Sequence, residues 1–113
     1  MNITKANINV STCFSFCTFK ASVNELVSKF GEPDFVDRDE DEKCQYEWNL
    51  RVINGNKVSV FTVYDWKEYR LFERDEIIEW HIGRVADKNA SQHTNMFDVE
   101  VALKEVGFNP SMY

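Results

Sequence analysis

Residues 45–70 read QYEWNLRVINGNKVSVFTVYDWKEYR, and this stretch decides the fold. Its first part alternates apolar with polar residues, which is the two-residue period of a β-strand with one buried face. The Asn54-Gly55 pair favours a tight hairpin turn, because both central positions of a type I′ turn need a positive φ. The β-branched and aromatic run from Val58 to Tyr64 is typical of a return strand. We therefore predict a β-hairpin with Trp48 on its buried face.

The length of the hairpin loop determines which side chains face the core. A two-residue Asn54-Gly55 loop places Trp48 opposite Phe61, on an aromatic-rich core face. A three-residue loop would instead turn Val58 and Val60 inward. We predict the two-residue loop.

The chain before the hairpin predicts a strand and a helix. Residues 1–5 are expected to be a frayed start, and the alternation from Ile8 to Thr18 predicts a long strand. Ser22 and Glu25 have the spacing of a capping box. The apolar stripe that follows ends at Phe30, so a short helix is expected there.

The chain after the hairpin predicts one more strand and one more helix. Residues 77–83 alternate, with Trp80 on one face and His81 on the other, and an apolar stripe from Met96 to Val106 predicts the second helix. The order is β-α-β-β-β-α in one α+β domain spanning residues 1–113. We expect a four-stranded, mostly antiparallel sheet with both helices on one face.

The negative charge of the chain is concentrated in one segment. Residues 32–43 contain seven acidic and two basic side chains, a net charge of −5 out of a total of −6. Such a segment is either a solvated loop or a patch that imitates nucleic-acid phosphates and occupies a basic groove of a partner protein. The partner-binding candidates are Asp37, Asp39, Glu40, Asp41 and Glu42.

Composition limits the remaining classes of function. No apolar run has the ~18 residues of a membrane helix, and we see no secretory signal, so a cytoplasmic protein without membrane attachment is expected. General nucleic-acid binding is disfavoured, because phosphate neutralisation supplies most of that affinity. The three cysteines include no Cys-x-x-Cys pair. We expect no metal and no cofactor, and self-association is left open.

Sequence signatures of enzymes are absent. The chain has no glycine-rich phosphate loop, no Gly-x-Ser-x-Gly and no His-Glu-x-x-His. The hypothesis of an enzyme depends on His81 as a general acid or base. The simpler interpretation is that His81 is a structural residue of the strand. We predict no catalytic residue.

A group of aromatic and cationic residues follows the hairpin. Flat aromatic faces stack on bases, and Lys and Arg neutralise phosphates. The predicted ligand-binding residues are Tyr64, Trp66, Lys67, Tyr69, Arg70, His81 and Arg84. They converge only if the connection 65–76 folds back along the sheet, on the face opposite Trp80. Otherwise Trp66 covers the edge of the core.

Four pieces of the sequence have a familiar order: Phe30-Gly31-Glu32-Pro33, Glu47-Trp48, Tyr64-Asp65-Trp66-Lys67 and Glu79-Trp80-His81-Ile82-Gly83. Over residues 22–83 the chain resembles a group of small, mostly uncharacterised bacteriophage proteins. Arg84 stands where that group has a second glycine. The resemblance implies a viral origin, and small accessory phage proteins often act against host defences.

These observations lead to two hypotheses about function. The first is a non-enzymatic viral binding protein that inhibits a host defence or regulatory system. It would occupy a host protein or sequester a small nucleotide-type signal. The alternative is a small enzyme that acts on a nucleotide, with His81 as acid or base.

Overall fold

The computed structural model describes residues 1–38, 44–66 and 71–112, and these residues form seven strands and two helices. The elements in chain order are β1 (Asn2–Lys5), β2 (Cys13–Ala21), α1 (Val23–Phe30), β3 (Phe35–Val36), β4 (Tyr46–Asn54), β5 (Lys57–Tyr64), β6 (Ile78–Arg84), α2 (Met96–Glu105) and β7 (Ser111–Met112).

The strands form one antiparallel sheet in the order β1-β4-β5-β6-β2-β7, with β3 paired to β4 beside β1. The predicted α+β class is confirmed, whereas the prediction of four strands is wrong. The additional strands are β1, β3 and β7. They have only two to four residues each, too few to show a period of two, and they form because their backbone groups pair with longer neighbours.

The β4–β5 hairpin has the predicted faces in a different register. Asn54 pairs with Lys57, so the two-residue loop is Gly55-Asn56 rather than Asn54-Gly55. Gly55, at the first loop position, has a φ of 63°. The shift is two residues, and Trp48 therefore pairs with Val63 instead of Phe61. Because a shift of two preserves the alternation, Trp48, Phe61 and Val63 still face the core.

Both helices pack on one face of the sheet, which we call the helix face. Its largest fully buried side chains are Trp48, Phe61 and Trp80, and they belong to the same hydrophobic cluster as the buried residues of α1 and α2. The rings of Trp48 and Trp80 meet edge to face, with centroids 5.4 Å apart. This cluster is the core that fixes the three central strands.

Local signals define the helix ends. At the start of α1, the Ser22 and Glu25 side chains each accept a backbone N–H of the other, which confirms the capping box. Gly31 follows α1 at φ 83°, and its carbonyl accepts the indole N–H of Trp48. The cap of α2 is Asn95, whose side chain accepts the backbone N–H of Asp98 at 3.3 Å.

The segment between β1 and β2 crosses the sheet, because β1 lies at one edge and β2 lies beyond β6. Thr12, at the end of this segment, lies beside Gly83 and Thr62 on the face opposite the helices, which we call the cleft face. The predicted strand from Ile8 is therefore wrong in its first part. Residues 8–12 are a crossing connection, and the strand itself runs from Cys13 to Ala21.

The connection between β5 and β6 lies partly on the helix face. Phe72 is buried in the core, with its ring centroid 5.7 Å from that of Tyr46 and 6.3 Å from that of Trp80. The Arg38 guanidinium donates to the Phe72 carbonyl at 2.6 Å. Phe72 therefore belongs to the helix face, where its ring is buried among the core aromatics.

Candidate functional site

Three polar side chains lie side by side on the cleft face, at the level where β5 ends. Glu47 on β4 pairs with Tyr64 on β5, and Tyr64 pairs with His81 on β6. Directly opposed residues of antiparallel strands have neighbouring side chains on the same face. The sheet register thus aligns a carboxyl, a phenol and an imidazole in one row, which we call the polar row.

Aromatic rings flank the polar row on both sides. Phe14 stacks on the His81 ring with a centroid distance of 4.5 Å and an interplanar angle of 30°. Trp66 meets Tyr64 edge to face at 6.3 Å and 85°. These rings give the surface flat apolar walls beside groups that form hydrogen bonds.

The polar row and its flanking rings enclose a cleft of about 590 Å³. This size falls within the ~300–1,000 Å³ of sites for small molecules. The cleft is lined by Thr12, Phe14, Cys44, Glu47, Tyr64, Trp66 and His81. These residues come from β2, β4, β5, β6 and the segments that adjoin them, so the sheet itself is the scaffold of the cleft.

Gly83 allows the cleft face to pack closely behind the polar row. A Cβ atom at this position would overlap the Thr62 hydroxyl oxygen and would lie 3.3 Å from both the Thr12 hydroxyl oxygen and the Tyr64 ring. Gly83 is therefore required by the close approach of neighbouring side chains, and not by an unusual φ.

A β-bulge in β2 positions Phe14 against His81. Phe14 pairs with Gly83 and Thr18 pairs with His81, so the three residues between them lie opposite Ile82 alone. The Ser15 hydroxyl donates to the Ile82 carbonyl at 2.7 Å and accepts from the backbone N–H of Cys17 at 3.3 Å. These bonds replace the interrupted ladder and hold the bulge in place.

The bulge contains a strained residue. Phe16 has a φ of 63°, the only positive φ of a non-glycine residue in the described part of the chain. Its ring is 61% exposed and lies 5.2 Å from that of Phe14, whereas Cys17 beside it is fully buried. A bulky residue rarely adopts this conformation, and it persists here because Ser15 and Cys17 are fixed on both sides.

Asp65 anchors the Trp66 side of the cleft. Its fully buried carboxylate accepts the backbone N–H of Gln45 at 2.8 and 3.1 Å and that of Tyr46 at 2.8 Å. These bonds connect the end of β5 to the beginning of β4. Trp66 follows directly and is 40% exposed, so its ring is held at the cleft by a fixed neighbour.

Partial burial keeps the polar row uncharged over a wider pH range. Burial raises the pKa of Glu47, with a further contribution from the Asp34 carboxylate. Burial also raises the pKa of Tyr64 to about 12, helped by Cys44, Cys13 and Glu47. The pKa of His81 is lowered by burial, and Glu79 opposes this effect, with its carboxylate 3.8 Å from Nε2 of His81.

The structure brings together some of the predicted ligand-binding residues. Tyr64, Trp66 and His81 line the same cleft. Arg84 does not line it, because its position in β6 alternates with His81 and pairs with Phe61, a residue of the helix face. The remaining predicted residues, Lys67, Tyr69 and Arg70, lie outside the described residues.

Four lining residues were missed by the sequence reasoning: Thr12, Phe14, Cys44 and Glu47. The orientation of Glu47 was predictable from the sequence, because Glu47 alternates with Tyr46 and Trp48 and must face away from the core. The position of Phe14 was not predictable, because it depends on a bulge that the alternation of β2 does not reveal.

The acidic segment is partly built into the sheet. Phe35 and Val36 pair with β4, and the Asp34 carboxylate accepts the backbone N–H of Asn49 at 2.7 Å and lies 3.2 Å from the Lys5 ammonium. At these residues the acidic segment is therefore part of the sheet and not a solvated loop. Asp37 is half-buried, and its backbone N–H bonds to the Gln45 carbonyl. Four predicted partner-binding residues lie outside the described residues: Asp39, Glu40, Asp41 and Glu42.

Cys13, Cys17 and Cys44 form no disulfide bond, and Cys17 is fully buried while Cys13 is exposed. Within residues 1–38, 44–66 and 71–112, no group of three or more His, Cys, Asp or Glu side chains is arranged to hold a metal ion. Neither α1 nor α2 is long and apolar enough to span a membrane, and the search covers the described residues only.

Comparison of the chain with protein-family models, with curated proteins and with solved structures finds no match.

Proposed function

We propose that this protein is a small non-enzymatic binding protein that holds a flat, nucleotide-type ligand in the cleft. The observation that carries the proposal is the arrangement of Phe14 and Trp66 beside the polar row, which itself contains the Tyr64 ring, in one cleft. Aromatic side chains that stack on a base contribute ~1–3 kcal/mol each, and a few convergent polar groups orient the ligand. The cleft offers both kinds of contact.

The biological setting that we propose comes from the sequence resemblance to small phage proteins. A viral protein that sequesters a nucleotide signal would silence a host defence or regulatory system without any chemical step. The cationic residues Lys67 and Arg70 follow Trp66 in the chain, and we propose that they neutralise the phosphates of the ligand outside the cleft. Occupation of a host protein by the acidic segment, from Asp37 to Glu42, is the second way in which such inhibition would occur.

Intrinsic fluorescence provides a direct binding test. Trp48 and Trp80 are fully buried, so Trp66 is the tryptophan that a ligand in the cleft contacts. Titration with nucleotides should quench Trp66. Trp66→Ala should weaken binding, measured by calorimetry, by roughly ten- to a hundredfold, which corresponds to one lost stacking contact.

The matched control is Phe97→Ala, since Phe97 is an exposed aromatic residue of α2 and does not line the cleft. Phe97→Ala should retain parental affinity and melting temperature. Parental affinity in Trp66→Ala for every nucleotide tested would reject the cleft as the binding site.

The second candidate function is a small nucleotide-modifying enzyme with His81 as general base. The observation that favours it is the nearly buried His81 beside Tyr64, with a lowered pKa that keeps its imidazole neutral at pH 7. Nucleotides recovered after denaturation of the complex distinguish the two candidates. Unchanged nucleotide indicates binding alone, whereas altered nucleotide that disappears in His81→Gln indicates catalysis.

A further inference from the structure

Glu47 is the acidic group of the cleft wall, and its carboxylate lacks a partner within the described part of the chain. No N–H or O–H of those residues donates to it, and no cation pairs with it. The side chain is half-buried, and the burial raises its pKa. Removing a carboxylate from water without a compensating donor is costly, so this group is suited to a ligand that supplies donors.

The described lining restricts which part of a nucleotide enters the cleft. It contains no Lys or Arg within residues 1–38, 44–66 and 71–112, and its one carboxylate repels anions. Phosphates are therefore expected outside it. The flat walls of Phe14, Tyr64 and Trp66 fit the base instead.

The chemistry of Glu47 distinguishes the four common bases. A carboxylate offers two acceptor oxygens and no donor, and it pairs best with two parallel N–H groups. Guanine presents such a pair, N1–H and the N2 amino group, on its Watson–Crick edge. Adenine and cytosine present one amino group beside a ring nitrogen acceptor, and uracil presents one N–H between two carbonyls. Each of these three edges would place a lone pair against a carboxylate oxygen.

We infer that the cleft selects a guanine base, whose N1–H and N2 amino donors bind the two carboxylate oxygens of Glu47 while its ring packs against the aromatic walls. This inference rests on the proposed function, since it names the base that the same cleft takes.

Nucleosides test the inference, because they carry no phosphate and isolate the contacts of the base. Guanosine, inosine, adenosine and cytidine are titrated into the protein at pH 8, with binding followed by calorimetry and by Trp66 fluorescence. Inosine has the same ring and N1–H as guanosine and lacks only the N2 amino group. Loss of one hydrogen bond to a charged acceptor should make inosine bind roughly tenfold or more weakly than guanosine, with adenosine and cytidine weaker still.

Glu47→Gln supplies the complementary test, because glutamine has nearly the same shape and one acceptor oxygen in place of two. Guanosine affinity should fall to the level of inosine, while inosine affinity changes less. The matched control is Glu73→Gln, an exposed acidic residue outside the cleft, which should retain the guanosine preference. Thermal melts verify that both variants are folded.

The outcomes separate this inference from the proposed function. Equal affinity for guanosine, inosine and adenosine in the parent protein would overturn guanine selection while leaving nucleotide binding intact. A guanosine preference that survives in folded Glu47→Gln would overturn the role of Glu47. Absence of binding by every nucleoside and nucleotide would reject both the inference and the proposed function.

Discussion

Replacement of Asp65 tests whether a buried carboxylate holds the cleft scaffold together. The side chain is fully buried and accepts the backbone N–H groups of Gln45 and Tyr46 at 2.8–3.1 Å. Asp65→Ala leaves both N–H groups without this acceptor at the start of β4. A hydrogen bond to a charged group contributes about 1.5–3 kcal/mol, and two of them therefore about 3–6 kcal/mol.

The expected loss of unfolding free energy lies below the top of that range, because alanine also removes the cost of burying the carboxylate. We expect Asp65→Ala to lower the free energy of unfolding by about 3–5 kcal/mol, which corresponds to a fall in Tm of about 12–20 °C in a chain of this length. Asp65→Asn keeps one acceptor oxygen near both N–H groups and should lose about 1–2 kcal/mol. Urea unfolding and thermal melts measure both variants.

The control for this experiment is Asp75→Asn, which alters an exposed aspartate in the same connection. Its free energy of unfolding should lie within about 0.5 kcal/mol of the parent value. If the free energy of unfolding of Asp65→Ala also lies within about 1 kcal/mol of the parent value, the Gln45 and Tyr46 N–H groups do not depend on the carboxylate. That result would refute the anchoring role of Asp65.

Four further predictions concern the core, the cleft and the thiols. Trp48→Ala should lower the free energy of unfolding by ~3–5 kcal/mol, since the indole is fully buried, and a melt within a few degrees of the parent would contradict this. Glu47→Gln should raise the Tm at pH 7, because the raised pKa of Glu47 makes its ionised form destabilising above the ordinary value, and the gain should vanish as the pH falls below that value. The lowered pKa of His81 predicts that the parent loses stability as the pH falls below 6.5, and that His81→Gln loses less. Burial raises the pKa of Cys17 to about 11, so iodoacetamide should label Cys13 in the native protein and Cys17 only after unfolding, as read by mass spectrometry.

The parts of the fold that were predictable from sequence are those fixed by repeated local patterns. The alternation around Trp48 gave the buried face of β4, and the Ser22–Glu25 spacing gave the start of α1. The hairpin register was missed by two residues because Asn54-Gly55-Asn56 offers two overlapping turn pairs, and the sequence does not state which pair forms the loop.

The cleft was less predictable because its walls are distant in sequence. Thr12 and Phe14 reach the polar row only through a crossing connection and a bulge, and neither leaves a periodic signal. Asp65 appeared to belong to a charged loop, whereas its carboxylate is buried. A hydrophobicity pattern cannot reveal a buried charge whose acceptor role depends on backbone groups twenty residues away.

The two faces of the sheet differ in how completely their buried polar groups are hydrogen-bonded. On the helix face, the indole N–H groups of Trp48 and Trp80 both find backbone carbonyls, at 2.8 and 2.9 Å. On the cleft side, no described residue forms a hydrogen bond with the buried Thr62 hydroxyl, and none donates to the half-buried Glu47 carboxylate. Phe16 adds a strained backbone at the bulge.

Unfavourable features of this kind are tolerated where function requires them, because selection for stability alone would remove them. Among the described residues, these three features lie around one cleft, which supports the proposal that the cleft binds a ligand. A ligand that donates hydrogen bonds to Glu47 would offset the desolvation of its carboxylate. Binding of this ligand would therefore raise the free energy of unfolding of the protein.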